Sequence, residues 1–233
     1  MRTTLIPAHR GQITDRNGEP LAVSAPVATI WADPSKADVN HPSVGRLAAL
    51  LEMDRSELIG RLNEFRERQF LYLRRQVTPE LAQQIATLRV PGVHVDREYR
   101  RYYPAAEVSS HLVGFTNVDG EGQEGMELAY NDWLRGEPGR KLVLKDRLGR
   151  TIKHIRSLEE PNAGDDLQLS IDLRLQYLAY RELKAAVQAH GADGAAAVAL
   201  DAHTGEVLAL VNQPSYNPND RSELSSSACA TAP

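Results

Sequence analysis

The stretch Arg10–Val23, RGQITDRNGEPLAV, constrains this chain more than any other. Asn17-Gly18 is a pair that tolerates positive φ. Ile13 on one side, with Leu21, Ala22 and Val23 on the other, supplies apolar strand positions, so the segment reads as a β-hairpin. A plain hairpin does not need the charge gathered here in Arg10, Asp15, Arg16 and Glu19. A guanidinium beside a carboxylate makes fixed, directional contacts, which suits a strand that holds other segments in place. The competing reading is a solvated hairpin whose surface pairs contribute almost nothing.

Composition narrows the classes. The 233 residues suffice for one large domain or two modest ones, and 42% hydrophobic with 25% charged residues is ordinary for a globular chain. The 27 basic residues are scattered and the net charge is -4, which argues against a nucleic-acid partner. The single cysteine, Cys229, excludes an internal disulfide. No run of about 18 apolar residues is present, so no transmembrane helix is expected. Met1–Arg10 lacks the apolar segment of a signal peptide.

Along the chain, Ala25–Ala32 continues as a strand and stops at Asp33-Pro34. Two helices follow, one over 43–51 and one capped by Asp54 with Glu57, Leu58, Leu62 and Phe65 behind it. Phe70–Val77 alternates as a half-buried strand, and Thr78-Pro79-Glu80 opens a helix that ends before Pro91-Gly92. This helix–helix–strand–helix run reads as a small α/β subdomain. Gly92–Tyr103 is a long strand leading into RRYYP, where arginines packed on tyrosines are favoured over a base-stacking platform. Arg140–Arg156 forms a second hairpin turning at 146–149, with a basic rim of Lys141, Lys145, Arg147, Arg150 and Lys153. Pro161–Asp165 marks a domain boundary. Beyond it come a short strand, a helix capped by Asp172 that is apolar on most sides and expects burial, and a hairpin closed by DAHTG.

RGQITDRNGEPLA resembles the first motif of the non-catalytic N-terminal module of class B penicillin-binding proteins. The run from RRYYP through WLRGEPG is similar to that module's second and third motifs. The matched positions are Arg101, Tyr103 and Pro104, then Gly114, Glu124, Gly125 and Glu127. DLRLQYLAYREL, which holds Asp172 and Gln176, resembles the start of the transpeptidase domain, and NQPSYNPN continues the likeness. The resemblance implies an α+β fold: an elongated pedestal of mixed hairpins and helices over 1–163, with an inserted α/β subdomain at about 33–91. An incomplete start of the transpeptidase domain follows over 164–220, then a disordered tail over 221–233. It implies structural or interaction roles for Arg10, Gly11, Asp15, Arg16, Gly18, Arg101, Tyr103, Pro104, Glu124, Gly125, Glu127, Asp172 and Gln176. Arginines 10, 16 and 101 with glutamates 124 and 127 are expected to interlock as one network. The family's enzymes are anchored on the periplasmic face of the inner membrane, cross-link septal peptidoglycan by D,D-transpeptidation and are acylated by β-lactams. Their partners include a SEDS-type glycan polymerase and other division proteins, with peptidoglycan strands a further candidate ligand. Any membrane contact here would run through an anchor this sequence lacks.

The chemistry of that family is not legible in these residues. No serine is followed three residues later by lysine. Ser215-Tyr216-Asn217 and His203-Thr204-Gly205 match the family's other boxes only by letters, in a loop and a turn. Neither a metal-ligand spacing among the seven histidines nor a phosphate loop is present, so no metal or cofactor is expected. Glu124 and Glu127, one helical turn apart, invite an acid–base reading that an ion-pair network outweighs. The expectation is a scaffold without catalysis; the alternative is a stand-alone module that binds glycan or a division partner. The block 167–212 is expected to be marginal alone and to expose an apolar face.

Overall fold

The computed structural model describes residues 2–145 and 151–220, with side chains over 6–140 and 158–220. The turn 146–149, the basic rim of the second hairpin and the tail 221–233 lie outside the residues so described.

Strand β1 (Arg2–Ile6) precedes the hairpin of β2 (Ile13–Thr14) and β3 (Pro20–Ala32). Its turn is not the two-residue Asn-Gly loop that the sequence suggests. The Asp15 N–H donates to Glu19 O at 2.9 Å, the Gly18 N–H donates to Asp15 O at 3.1 Å, and positive φ falls on Gly18 (+85°) and not on Asn17. Arg16–Gly18 therefore span the turn, with glycine in the bulge position that an L side chain rarely adopts.

Next come α1 (Val44–Leu50), α2 (Arg55–Glu64), β4 (Leu71–Val77) and α3 (Pro79–Thr87), in the order the pattern predicts. Thr78 caps α3 by accepting from the Leu81 N–H, whereas the Asp54 side chain makes no capping bond to α2. Long strand β5 (Val93–Tyr102) leads to a 3-10 turn over Ala106–Ser109 and the short helix α4 (Ser110–Val113). The one helix expected around Glu124 is two, α5 (Gly125–Ala129) and α6 (Asn131–Arg135), separated where Tyr130 leaves helical geometry. The second hairpin forms as β6 (Gly139–Lys145) and β7 (Thr151–Glu159). The chain ends in β8 (Leu167–Gln168), α7 (Leu173–His190), β9 (Ala195–Leu200) and β10 (Val207–Gln213). Helix α7 closes on Gly191 in the left-handed conformation.

The chain divides into two compact units, and β3 and β5 each contribute to both. Among the described residues the first holds 2–7, Pro26–Arg100, 138–145 and 151–161. In it β6 lies between β1 and β7 in an antiparallel sheet. The far part of β3 pairs antiparallel with β4, Ala28 opposite Val77 and Trp31 opposite Tyr72, and β5 also pairs with β3. The inward side chains Ala28, Ile30, Leu73 and Val77 pack with Leu47, Leu58, Leu62 and Ile85 of the three helices in one apolar core. On Trp31 of this unit stack Phe70 and His94, with ring centroids at 4.9 and 4.3 Å.

Among the described residues the second unit gathers Ala8–Ala25, Arg101–Glu137 and 162–220. Here β2 pairs antiparallel with the start of β3, Ile13 opposite Ala22, and parallel with β8, Ile13 opposite Leu167. Ile13, Leu21, Ala22, Tyr103, Val113 and Leu134 form its core, joined by Leu167, Leu169 and Leu173. The chain crosses between the units at Pro161–Asn162, inside the PNAGD stretch. One expectation fails: α7 is not buried on most sides. Gln176 and Tyr180 are its buried residues, while Tyr177 is 55% exposed, because the helix is packed only on the side that faces the β9–β10 hairpin and the 3-10 turn. Val198 and Leu200 on the two-stranded β9–β10 sheet are also exposed, as expected of this block.

Candidate functional site

The most constrained point of the second unit is the carboxylate of Glu127, which is fully buried in the first turn of α5. Each of its oxygens takes one guanidinium: Arg10 Nε donates to Oε2 at 2.8 Å and Arg101 Nε to Oε1 at 2.6 Å. Arg10 goes on to donate to Gly120 O at 3.1 Å, Asn131 Oδ1 at 3.1 Å and Glu127 O at 3.0 Å. Arg101 Nη1 donates to Ser24 Oγ at 3.1 Å, and that hydroxyl donates to Arg10 O at 3.2 Å. Three stretches far apart in sequence thus converge on one anion. Two cations against one carboxylate leave a buried positive charge, which the carbonyl dipoles of residues 120 and 127 partly offset. Among the described residues Arg101 Nη2 finds no partner. A buried cluster of this kind defines geometry more than it adds stability, because desolvation consumes most of the Coulomb gain.

Tyr103 stands beside the cluster, and its hydroxyl oxygen accepts from the Thr116 N–H at 2.9 Å. Burial, reinforced by the charge of Glu127, pushes the phenol up to about 12, so Tyr103 is a neutral strut and not a proton carrier. Gly11 is needed at its place because a Cβ would fall 1.9 Å from Asp165 O. Gly125 opens α5 at φ +58°.

Asp15 has a role that its arginine neighbours concealed. Its Oδ1 accepts from the N–H groups of Asn17 and Glu19 at 2.7 and 2.8 Å, and its Oδ2 accepts from the Leu173 N–H at 3.1 Å. The hairpin turn therefore caps a helix that begins 158 residues later. Asp172 adds a second cap, accepting from Arg174 N–H at 3.0 Å, so two carboxylates meet the positive end of the α7 dipole. Burial works against the ionised Asp15, but the N–H donors of Leu173, Glu19 and Asn17 outweigh it, and its pKa lies below the usual 3.8. Gln176, fully buried, completes the seam: its amide donates to Val108 O and Leu210 O and accepts from the Leu210 N–H.

Two members of the expected network lie elsewhere. Arg16 pairs with Glu206 at 3.3 Å with both side chains well exposed, so it belongs to the surface. Glu124 accepts from the Tyr216 hydroxyl at 2.7 Å, with His111 Nδ1 3.8 Å from its other oxygen. Glu124 occupies the position before α5 with extended backbone, so the helical spacing that was to align it with Glu127 does not apply. Glu124 and Glu127 engage different partners and do not converge as an acid–base pair. Ser24, Thr116, Asn131 and Tyr216 were missed. Small polar residues that serve one buried donor carry no spacing signal, and Tyr216 sits in a loop that periodicity cannot read.

A groove of about 650 Å³ opens beside the cap, floored by Pro20, Pro104, Val108 and Leu173 and flanked by Glu19, Arg174 and Tyr177. Both Asp15 oxygens at its edge are already engaged by the hairpin and α7. No cluster of metal-ligating side chains occurs among the described residues, and no helix there is long and apolar enough to cross a membrane.

Comparison with known proteins places this geometry. Residues 5–169 match the penicillin-binding protein dimerisation domain, and residues 195–232 match the penicillin-binding protein transpeptidase domain. Peptidoglycan D,D-transpeptidase FtsI of Escherichia coli is 49% identical over 227 residues, which is 95% of this chain and 38% of that protein. Probable peptidoglycan D,D-transpeptidase PbpC of Pseudomonas aeruginosa is 44% identical over 96% of this chain and 40% of its own length. The chain therefore spans about two fifths of the relatives it matches. Among solved structures, penicillin-binding protein 2X of Streptococcus thermophilus superposes with a TM-score of 0.67 at 22% identity, over 93% of this chain and 36% of that one. The complex of PBP2 with MreC from Helicobacter pylori gives 0.67 at 23% identity, over 94% of this chain and 44% of that one. Both share the fold. On the extent of the first match and the identity to these transpeptidases, the chain belongs to the penicillin-binding protein family, carrying its dimerisation domain and the opening part of its transpeptidase domain.

Proposed function

We propose that this chain is the non-catalytic scaffold of a septal peptidoglycan D,D-transpeptidase, holding the catalytic part in place and offering surfaces to division partners. The observation that carries the reading is the buried Arg10–Glu127–Arg101 cluster, in which both oxygens of one buried carboxylate are committed to guanidinium groups from other segments of the chain. Asp15, spent on capping α7 from the first hairpin, supports it in the same way. The division of labour follows the order of the chain: pedestal over 1–163, start of the transpeptidase domain over 164–220. The setting is the periplasmic face of the inner membrane, and a SEDS-type glycan polymerase is the first partner to test. The PBP2–MreC complex among the structural neighbours supports a partner role for this fold.

Incubation with a fluorescent penicillin tests the absence of catalysis: no covalent label is expected on this chain, and labelling overturns the reading. Co-purification with the glycan polymerase tests the scaffold role. Retention by the wild-type chain and loss on Glu127→Ala are expected, and equal behaviour of the two contradicts it.

A further inference from the structure

Beyond β10 the chain does not leave the second unit freely. The Tyr216 ring is 6% exposed, and its hydroxyl lies 2.7 Å from Glu124 Oε2 and 3.2 Å from Ser110 O. Its single proton goes to the carboxylate, the shorter and charge-assisted bond. Three residues on, the Asn219 side-chain amide pairs with the backbone of Tyr103 in both directions. The Tyr103 N–H donates to Oδ1 at 3.0 Å, and Nδ2 donates to Tyr103 O at 2.9 Å. His111 Nε2 meets Pro214 O at 2.9 Å, and the imidazole packs edge-on against Tyr216. The loop is thereby bound to the segment 103–124 at both its ends, through the Pro214 carbonyl and the Tyr216 side chain at one and the Asn219 amide at the other. No hairpin needs this much fastening just past its last strand, and a buried tyrosine with a charged partner orders a loop at considerable entropic cost.

We propose that Tyr216 and Asn219 are positioning residues: with Glu124 and His111 they clamp the exit of β10 to the pedestal and fix the direction in which the catalytic part continues in proteins of this family. The inference rests on the scaffold reading above. It assigns Glu124 a task separate from that of Glu127, though the two stand three residues apart in one motif. Glu127 locks the pedestal internally, and Glu124 reads the chain that leaves it. A hydrogen-bonded clamp is suited to this because it fixes orientation, to which reacting groups are sensitive even at small displacements.

The test uses the E. coli enzyme with its matching segment replaced by residues 8–219 of this chain, in wild-type form and as Tyr216→Phe, Asn219→Ala and the double variant. Penicillin acylation is followed at increasing drug concentration, so that the limiting rate separates from the concentration at half-saturation. Thermal midpoint and Tyr103 amide exchange are measured in parallel. The expected result is a limiting rate lower by about tenfold in the double variant, with half-saturation and midpoint little changed and faster Tyr103 exchange on loss of Asn219. Asn219→Asp, which keeps the acceptor for the Tyr103 N–H and loses the donor, is expected to fall between. Unchanged acylation in the double variant overturns the clamp and leaves the scaffold reading standing. A rate loss matched by an equal loss of midpoint also overturns it, showing a structural role only. A wild-type chimera that folds but is not acylated overturns the scaffold reading and the clamp with it.

Discussion

The apolar core of the first unit and the core of the second solve the same problem with different materials. In the first, Ile30, Leu47, Leu58 and Ile85 fill the space between sheet and helices with apolar side chains, and the pairs Arg74–Glu52 and Arg75–Glu98 lie outside that core. In the second, a small apolar core of Ile13, Leu21 and Leu134 adjoins buried Arg10, Arg101, Glu127 and Gln176. Apolar packing is tolerant of exchange, since hydrophobic residues of similar volume substitute with modest loss. A buried charge cluster is not, because every member left behind keeps its desolvation cost. The contrast separates a part that needs only to be compact from one that must hold distant segments at a fixed register.

The largest effect is expected where the contrast is sharpest. Glu127→Ala leaves two guanidinium groups buried without their anion, and a loss of about 3–5 kcal/mol in denaturant unfolding is expected. Leu58→Ala in the apolar core is expected to cost about 2–5 kcal/mol, but Leu58→Met under about 1.5, a leniency that no substitution of Glu127 should show. A conservative Glu127→Asp as harmless as Leu58→Met would erase the distinction.

Next comes acidity. The Asp15 carboxyl sits below its usual pKa of 3.8, so the ionised form stabilises the fold above that unfolded value, and the contribution drains away as pH falls through the native value. Asp33 in the first unit behaves alike: burial opposes its charge, while the Lys36 ammonium and Ser35 hydroxyl more than compensate. Asp15→Asn is expected to flatten the acid limb of the stability profile for the second unit, read by α7 amide exchange, while leaving that of the first unarmed by the change. Acid limbs identical to wild type would contradict the capping role. The smallest effect belongs to Arg16→Ala, whose exposed pair with Glu206 is worth under about 1 kcal/mol in thermal melts. A larger loss would return Arg16 to the buried network.

Legibility in the sequence followed the same divide. The helices and strand of the stretch 44–87 are readable almost whole, because amphipathic periods at Leu58 and Leu62 or Leu81 and Ile85 report burial directly. The second unit was readable in its motifs and less so in its wiring. The side chains of Arg10, Arg101 and Glu127 meet, as the motif positions suggest. Arg16 and Glu124 were drawn into the same cluster because residue type and proximity in sequence do not state which way a side chain is aimed. Asp15 was grouped with arginines, whereas its partners are backbone N–H groups, one of them on Leu173, and no local pattern encodes a cap that distant. The helix α7 was expected to bury most of its surface on composition alone, and composition does not say what is at hand to cover it.

Native-state hydrogen exchange on Glu127→Ala, compared with wild type under conditions where both remain folded, tests the central claim most directly. The account predicts lost protection at Gly11, Gly122 and Leu134 in the second unit, with the protection of α1 and β4 in the first left as it was. Protection retained at those three amides, or lost equally in both units, would contradict the claim that one buried carboxylate holds the distant segments of this scaffold together.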